Sequence, residues 1–107
     1  MSTTKSLLIG KWRLTELSAW DADYLDLVAP AFIEFGRHGD GEMRFGALEA
    51  TLECSYAQTS IDFTWHGSDE GDEVWGEGWA ELDENGCLDG EISFHSGDET
   101  TFKARRW

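Results

Sequence analysis

Apolar and polar residues alternate with period two along most of the second half of the chain. In the run from Leu48 to Tyr56 every second residue is apolar, and Ile61, Phe63 and Trp65 continue the habit in the next run. Side chains of a β-strand point to opposite faces in turn, so each run can bury one face. The pattern therefore predicts antiparallel strands that follow one another around one hydrophobic core.

The first half of the chain predicts shorter strands and one short helix. A first strand opens at Gly10 and ends near Leu17. Residues 21–28 predict one or two helical turns with Tyr24, Leu25 and Val28 on the apolar side, because their acidic start suits the helix dipole. Pro30 ends this segment.

Two further strands lie between residues 31 and 45, on either side of a glycine-rich hairpin turn over 37–41. The alternation then slips by one residue at Gly46-Ala47. A one-residue slip exchanges the two faces of a strand, so we expect a bulge or bend at this point.

The loops place the last strands in register. Turns centred on Gln58-Thr59, Asp69-Glu70 and Asp83–Gly86, with a loop around Asp98, keep one inward-facing set of residues throughout. Glycines between bulky neighbours help to pack large rings and to bend a sheet. The predicted layers are Phe63–Gly76–Phe94–Phe102 and Ile61–Gly78–Ile92–Ala104.

These elements predict one all-β domain over residues 1–107 with one short helix, and with residues 1–6 frayed. We expect an antiparallel up-and-down meander of about seven to eight strands, curled or closed into a small barrel, since closure removes exposed edges. An open, highly twisted sheet is the alternative.

The charge is strongly negative. There are 22 acidic residues against 8 basic ones, a net charge of −14, and no Lys or Arg lies between Arg44 and Lys103. Direct binding of nucleic acid or of an anionic membrane is not expected, because both depend on Lys and Arg. A basic protein partner remains open, and so does the simpler view that the charge keeps a Trp-rich protein soluble.

The location expected from the sequence is cytoplasmic. The apolar stretch at residues 7–10 is too short for a signal peptide, and no run approaches the length of a membrane span. Cys54 and Cys87 fall on different parts of the predicted sheet, so we expect two free thiols in a reducing compartment.

Trp75 and Trp79 carry the clearest candidate site. They share the solvent face of an acidic strand, with Glu77 between them and His95 beside Trp75. Exposed aromatic residues mark partner or ligand surfaces. The alternative is that the 21–28 helix or the first strand covers both rings.

The predicted register also sets Asp62 opposite Glu77, and Glu81 opposite Asp89. Paired carboxylates suit general acid–base chemistry or a divalent cation, although solvated side chains pointing apart are the simpler view. The sequence lacks the spacings of a metal site, a nucleophile elbow or a nucleotide-binding loop. No catalytic residue and no cofactor is therefore assigned.

Two resemblances add to this picture. The stretches Trp20–Val28, Asp69–Ala80 and Gly90–His95 together resemble a family of short, acidic, uncharacterised bacterial proteins, which implies no particular activity. Gly10-Lys11-Trp12 is similar to the Gly-x-Trp opening of lipocalins and related calycins, which implies a barrel, although this chain is short for one and lacks their paired disulfide.

Three functions follow as hypotheses. The first is a non-enzymatic module that binds a small apolar ligand at the barrel mouth, or a protein on the Trp75/Trp79 surface. The second is an inhibitor that mimics nucleic acid and binds a basic DNA-binding protein. The third is a hydrolase that uses paired carboxylates.

Overall fold

The chain folds into a closed, eight-stranded antiparallel barrel, which the computed structural model describes for residues 7–20, 22–26 and 30–107. Each strand pairs with the next, and the first pairs with the last, so the prediction of a small closed barrel is confirmed. The only helix among the described residues is α1 (Ala22–Leu25), and no described helix could cross a membrane. The strands are β1 (Gly10–Leu17), β2 (Phe32–Phe35), β3 (Asp40–Phe45), β4 (Leu48–Tyr56), β5 (Ser60–Asp69), β6 (Asp72–Leu82), β7 (Leu88–Phe94) and β8 (Glu99–Arg106).

Alternate residues of every strand fill the barrel. An eight-stranded barrel is just wide enough for its inward side chains to fill the interior. The inward residues are almost completely buried and include six large aromatic rings. They are Trp12, Phe35, Phe45, Phe63, Trp65 and Phe102.

Glycines on neighbouring strands make room for two of these rings and lie opposite a third. Gly78 lies directly opposite Phe63, and Gly76 opposite Trp65. Gly90 in the same way faces Phe102. A Cβ atom added at Gly78 would lie 2.5 Å from the Phe63 ring, which is far inside van der Waals contact. The glycines at inward positions of β6 and β7 are therefore part of the core packing.

Two of the four predicted registers are right and two are wrong. The structure pairs Cys54 with Phe63 and Gly76 with Phe94, as predicted. Phe63, however, pairs with Gly78 and not with Gly76, and Phe102 pairs with Gly90 and not with Phe94. In both cases the observed register is shifted from the predicted one by an even number of residues. Every side chain therefore stays on its predicted face.

The slip at Gly46-Ala47 is a two-residue hairpin turn, so of the predicted bulge or bend the structure has the bend. Phe45 pairs with Leu48 across this two-residue turn, and β3 and β4 are separate strands. Gly46 has a φ of 56°, which side chains disfavour, and a Cβ atom there would overlap the Tyr24 ring.

Helix α1 closes one end of the barrel. It is shorter than the predicted 21–28 segment, and Asp21 and residues 27–29 lie outside the described residues, as does the 1–6 segment. Tyr24 stacks on Trp20 with ring centroids 5.4 Å apart, and the Leu25 carbonyl accepts a hydrogen bond from the Gly46 N–H at 3.0 Å. Asp26 then accepts hydrogen bonds from Arg13 at 2.6 Å and from the Ala31 N–H at 3.0 Å.

Candidate functional site

Trp75 and Trp79 lie on the outer face of β6, as predicted. The two rings are 46% and 40% exposed, while Gly76, Gly78 and Ala80 between and after them face inward. Helix α1 packs against the β3–β4 turn instead, so the alternative in which it covers the two rings is wrong.

Trp79 stands between two carboxylates. Asp62 on β5 and Glu91 on β7 are its direct cross-strand neighbours. Directly opposed residues have Cβ atoms about 5 Å apart, so both carboxylates lie within reach of a group placed on the Trp79 ring. An aromatic face with negative charge on either side attracts a cation in two ways, through the ring quadrupole and through ion pairing.

Trp75 is held by His95. The two rings stack with centroids 3.6 Å apart and an interplanar angle of 10°. The His95 backbone N–H also donates to the Trp75 carbonyl oxygen at 2.8 Å. The predicted contact between these residues is therefore confirmed. Because His95 covers one face of the indole, Trp75 is a fixed platform with its remaining surface open to solvent.

A groove of about 850 Å³ runs across the outer faces of β4 to β7 beside Trp79. Four carboxylates line it, and no Lys or Arg does so among the described residues. Glycines at inward positions thin the wall beneath, and Phe63 and Cys54 form part of its floor. The four carboxylates are Glu53, Asp62, Glu77 and Glu91, and we call this feature the acidic groove.

The predicted Asp62–Glu77 pair does not form as a direct cross-strand pair. Asp62 lies opposite Trp79, and Glu77 lies opposite Thr64, because the β5–β6 register differs by two residues from the predicted one. Both side chains still line the acidic groove, as diagonal neighbours. Trp79 thus separates charges that the prediction had placed face to face, which weakens the case for a shared proton. The second predicted pair, Glu81 opposite Asp89, is confirmed.

The ionisable groove residues that were not among the predicted site residues include Glu53, Glu91 and His38. Glu53 and Glu91 occupy outer positions of β4 and β7, so the alternation of those strands was a sufficient signal for both. His38 enters from the β2–β3 turn, and its position depends on the turn geometry. No periodic pattern could have placed that side chain.

Cys54 is the nucleophile type nearest to the groove, but its surroundings disfavour the thiolate. Burial raises the pKa of the Cys54 thiol to about 11, despite a hydrogen bond to Tyr56 that acts in the opposite sense. Burial likewise raises the pKa of Tyr56 to about 12. Both groups therefore stay protonated at neutral pH, and the thiol is unsuited to nucleophilic attack.

The arrangement of acidic groups does not form a metal centre within the described part of the chain. No three His, Cys, Asp or Glu side chains there converge closely enough to hold an ion. The four carboxylates of the groove are instead spread over β4, β5, β6 and β7, one on each strand. This geometry suits an extended ligand with several positive charges better than a single ion.

The chain matches no family model, and no curated protein or solved structure is detectably similar to it. The resemblance to short acidic bacterial proteins therefore stays a prediction. The class that the fold defines is a small, closed antiparallel β-barrel with an acidic, Trp-bearing groove on its outer wall. Its function has to be inferred from that groove.

Proposed function

We propose that this protein is a non-enzymatic binding module that recognises a Lys/Arg-rich segment of a protein partner in the acidic groove. The observation that carries the proposal is Trp79, which is exposed between Asp62 and Glu91. A Lys or Arg side chain laid on this ring gains a cation–π contact and a carboxylate at once, worth about 0.5–2 kcal/mol for the ring contact.

The charge of the whole wall supports the same ligand class. Strands β4 to β7 carry ten carboxylates and no Lys or Arg. Such a field speeds the approach of a positively charged partner and repels nucleic acid and anionic lipid. We therefore propose a basic protein partner, with no direct contact to nucleic acid or membrane. The free thiols of Cys54 and Cys87 support a reducing, cytoplasmic setting.

An apolar ligand inside the barrel receives less support. The inward aromatic and aliphatic side chains are packed against one another, and the acidic groove lies on the outside of the wall. The lipocalin-like opening therefore argues for the shape of the sheet more than for the use of its interior.

Titration with a synthetic arginine-rich peptide tests the proposal. Trp79→Ala is expected to weaken binding about tenfold, and Asp62→Asn and Glu91→Gln severalfold each, since they remove the ring and its flanking charges. Trp107→Ala is the matched control, because Trp107 is also exposed but lies outside the acidic groove.

Binding that is equally strong in the wild type and Trp79→Ala would contradict the proposal. If the affinity of both proteins for the peptide also fell steeply with salt, this would favour the nucleic-acid mimic, which depends on carboxylates alone. Because Trp79 is exposed, its replacement should leave the fold intact, and the thermal midpoint of each variant checks this.

A further inference from the structure

Half of the eight Lys and Arg residues of this acidic protein lie on one outer face of the barrel. Strands β1 and β8 pair with each other and together hold five of the eight Lys and Arg residues. We call the outer face formed by Lys11, Arg13, Lys103, Arg105 and Trp107 the basic strip.

Two like charges face each other within this strip. Arg13 and Arg105 are direct cross-strand partners. Like charges in this arrangement destabilise a sheet unless an opposite charge compensates them. Arg13 has such a partner in Asp26, at 2.6 Å. The Arg105 side chain is exposed and forms neither a hydrogen bond nor an ion pair with the described residues.

Aromatic rings hold the neighbouring cations in place. The Lys11 ammonium lies 4.5 Å from the centroid of the Phe32 ring and 4.6 Å from that of Trp107. Trp107 itself is 57% exposed. A cleft of about 330 Å³ lies between Trp107 and the guanidinium-bearing side chains of Arg13, Arg105 and Arg106. The strip therefore offers a preformed surface for carboxylates, built from the residue types that dominate protein interfaces.

The strip and the acidic groove point largely away from each other. In the closed ring β1 lies four strands from β5 in either direction, whereas β8 is next to β7, where Lys103 pairs with Asp89 at 3.8 Å outside the groove lining. One molecule cannot bring its own two surfaces together, but two molecules can. The groove presents carboxylates with an exposed Trp, and the strip presents cations with an exposed Trp.

We propose that the basic strip of one copy docks in the acidic groove of a second copy, head to tail. This inference rests on the proposed function of the acidic groove as a site for basic protein segments. The basic strip of the same chain is one such segment. Each contact uses two different patches, so both ends of a pair remain open and further copies can add. At physiological ionic strength charges beyond about 8 Å are screened, so the net charge of −14 acts on the contact mainly through groups near the interface, where the facing patches have opposite sign.

Sedimentation velocity over a range of concentrations tests the contact at physiological salt. The average mass of the wild type should rise with concentration and fall back in about 0.5 M NaCl, where the facing charges are screened. Arg105→Ser should weaken association at least about fivefold, and Arg105→Lys should restore most of it. Arg44→Ser, which removes the same charge outside both surfaces, should associate like the wild type.

Mixing two defective variants gives the sharpest result. Trp79→Ala keeps an intact strip, and Arg105→Ser keeps an intact groove, so each alone should associate more weakly than the wild type, and an equimolar mixture should form mainly dimers with wild-type affinity. A wild type that stays monomeric up to about 1 mM, a range that reveals contacts of about −4 kcal/mol, would overturn the inference. So would undiminished association of either variant.

The test of self-docking can fail without the test of the proposed peptide binding failing. Arg105→Ser should still bind the arginine-rich peptide, since its groove is unchanged. Peptide binding by a strictly monomeric wild type would overturn only the self-docking. Addition of the peptide to the associated wild type should instead release monomers, because both ligands compete for Trp79.

Discussion

Glycine at position 78 shows how single residues decide the packing of this barrel. The Phe63 ring occupies the space that a side chain at Gly78 would need, and the Phe102 ring is placed in the same way against Gly90. The same arrangement explains why Trp75 and Trp79 lie outside, since their strand neighbours must face inward.

Gly78→Ala should therefore destabilise the protein by about 1–3 kcal/mol, the cost typical of overpacking a filled core. The added methyl group would press on the Phe63 ring and on the Glu91 carbonyl oxygen. Urea denaturation measures the effect. Glu77→Ala, one position away on the solvent face, is the control and should change stability by less than about 0.5 kcal/mol. Equal midpoints for the two variants would show that the interior has spare room.

At the scale of elements, the β5–β6 hairpin shows what the sequence could and could not predict. The alternation of apolar residues identified both strands and their inward faces. It could not choose between registers that differ by two residues, because such a shift leaves every face unchanged. The geometry of the turn fixes the register, and in this turn Glu70 and Gly71 both have positive φ. Glu is an unusual residue for that conformation, so the turn was not evident from the sequence.

Glu70→Asn should stabilise the protein by about 0.5–1 kcal/mol, because Asn adopts the left-handed conformation more readily than Glu. The change also removes one charge from an acidic turn. Glu70→Gln removes the same charge without the conformational preference, so the difference between the two variants in thermal or urea unfolding isolates the backbone effect. A Gln variant as stable as the Asn variant would assign the gain to charge alone.

Asp26 ties the α1 segment to the barrel and makes this link pH-dependent. The hydrogen bond from Arg13 and that from the Ala31 N–H lower the pKa of Asp26 below its usual value. A lowered pKa means that this stabilisation is present above the ordinary Asp value near 3.9 and is lost as the pH falls below it.

Asp26→Asn should accordingly cost about 0.5–1 kcal/mol at pH 7, because the pair is partly exposed and screened by solvent. At a pH well below the lowered pKa of Asp26 the wild type and the variant should converge, since the wild-type carboxyl is then protonated as well. Urea unfolding at both pH values measures the difference. A gap that persisted unchanged at low pH would mean that the carboxylate charge is not what anchors this segment.

For the molecule as a whole, the closed sheet divides the charge between two sides. Acidic outer positions are gathered on β4 to β7, and basic ones on β1 and β8. The sequence predicted the acidic half from its lack of Lys and Arg between residues 44 and 103. The pairing of β1 with β8 follows only if the sheet closes, and the alternation left a closed barrel and an open sheet as alternatives. The groove could be predicted in part only: Trp79 and its carboxylates follow from alternation, but His38 does not.

The indole N–H signals of the six Trp residues, followed by two-dimensional NMR during addition of an arginine-rich peptide, test the central claim most directly. The largest shift should occur at Trp79, with a smaller one at Trp75, while the buried Trp12 and Trp65 stay in place. A largest shift at Trp107, or no selective shift at any indole, would contradict the assignment of the acidic groove as the binding site.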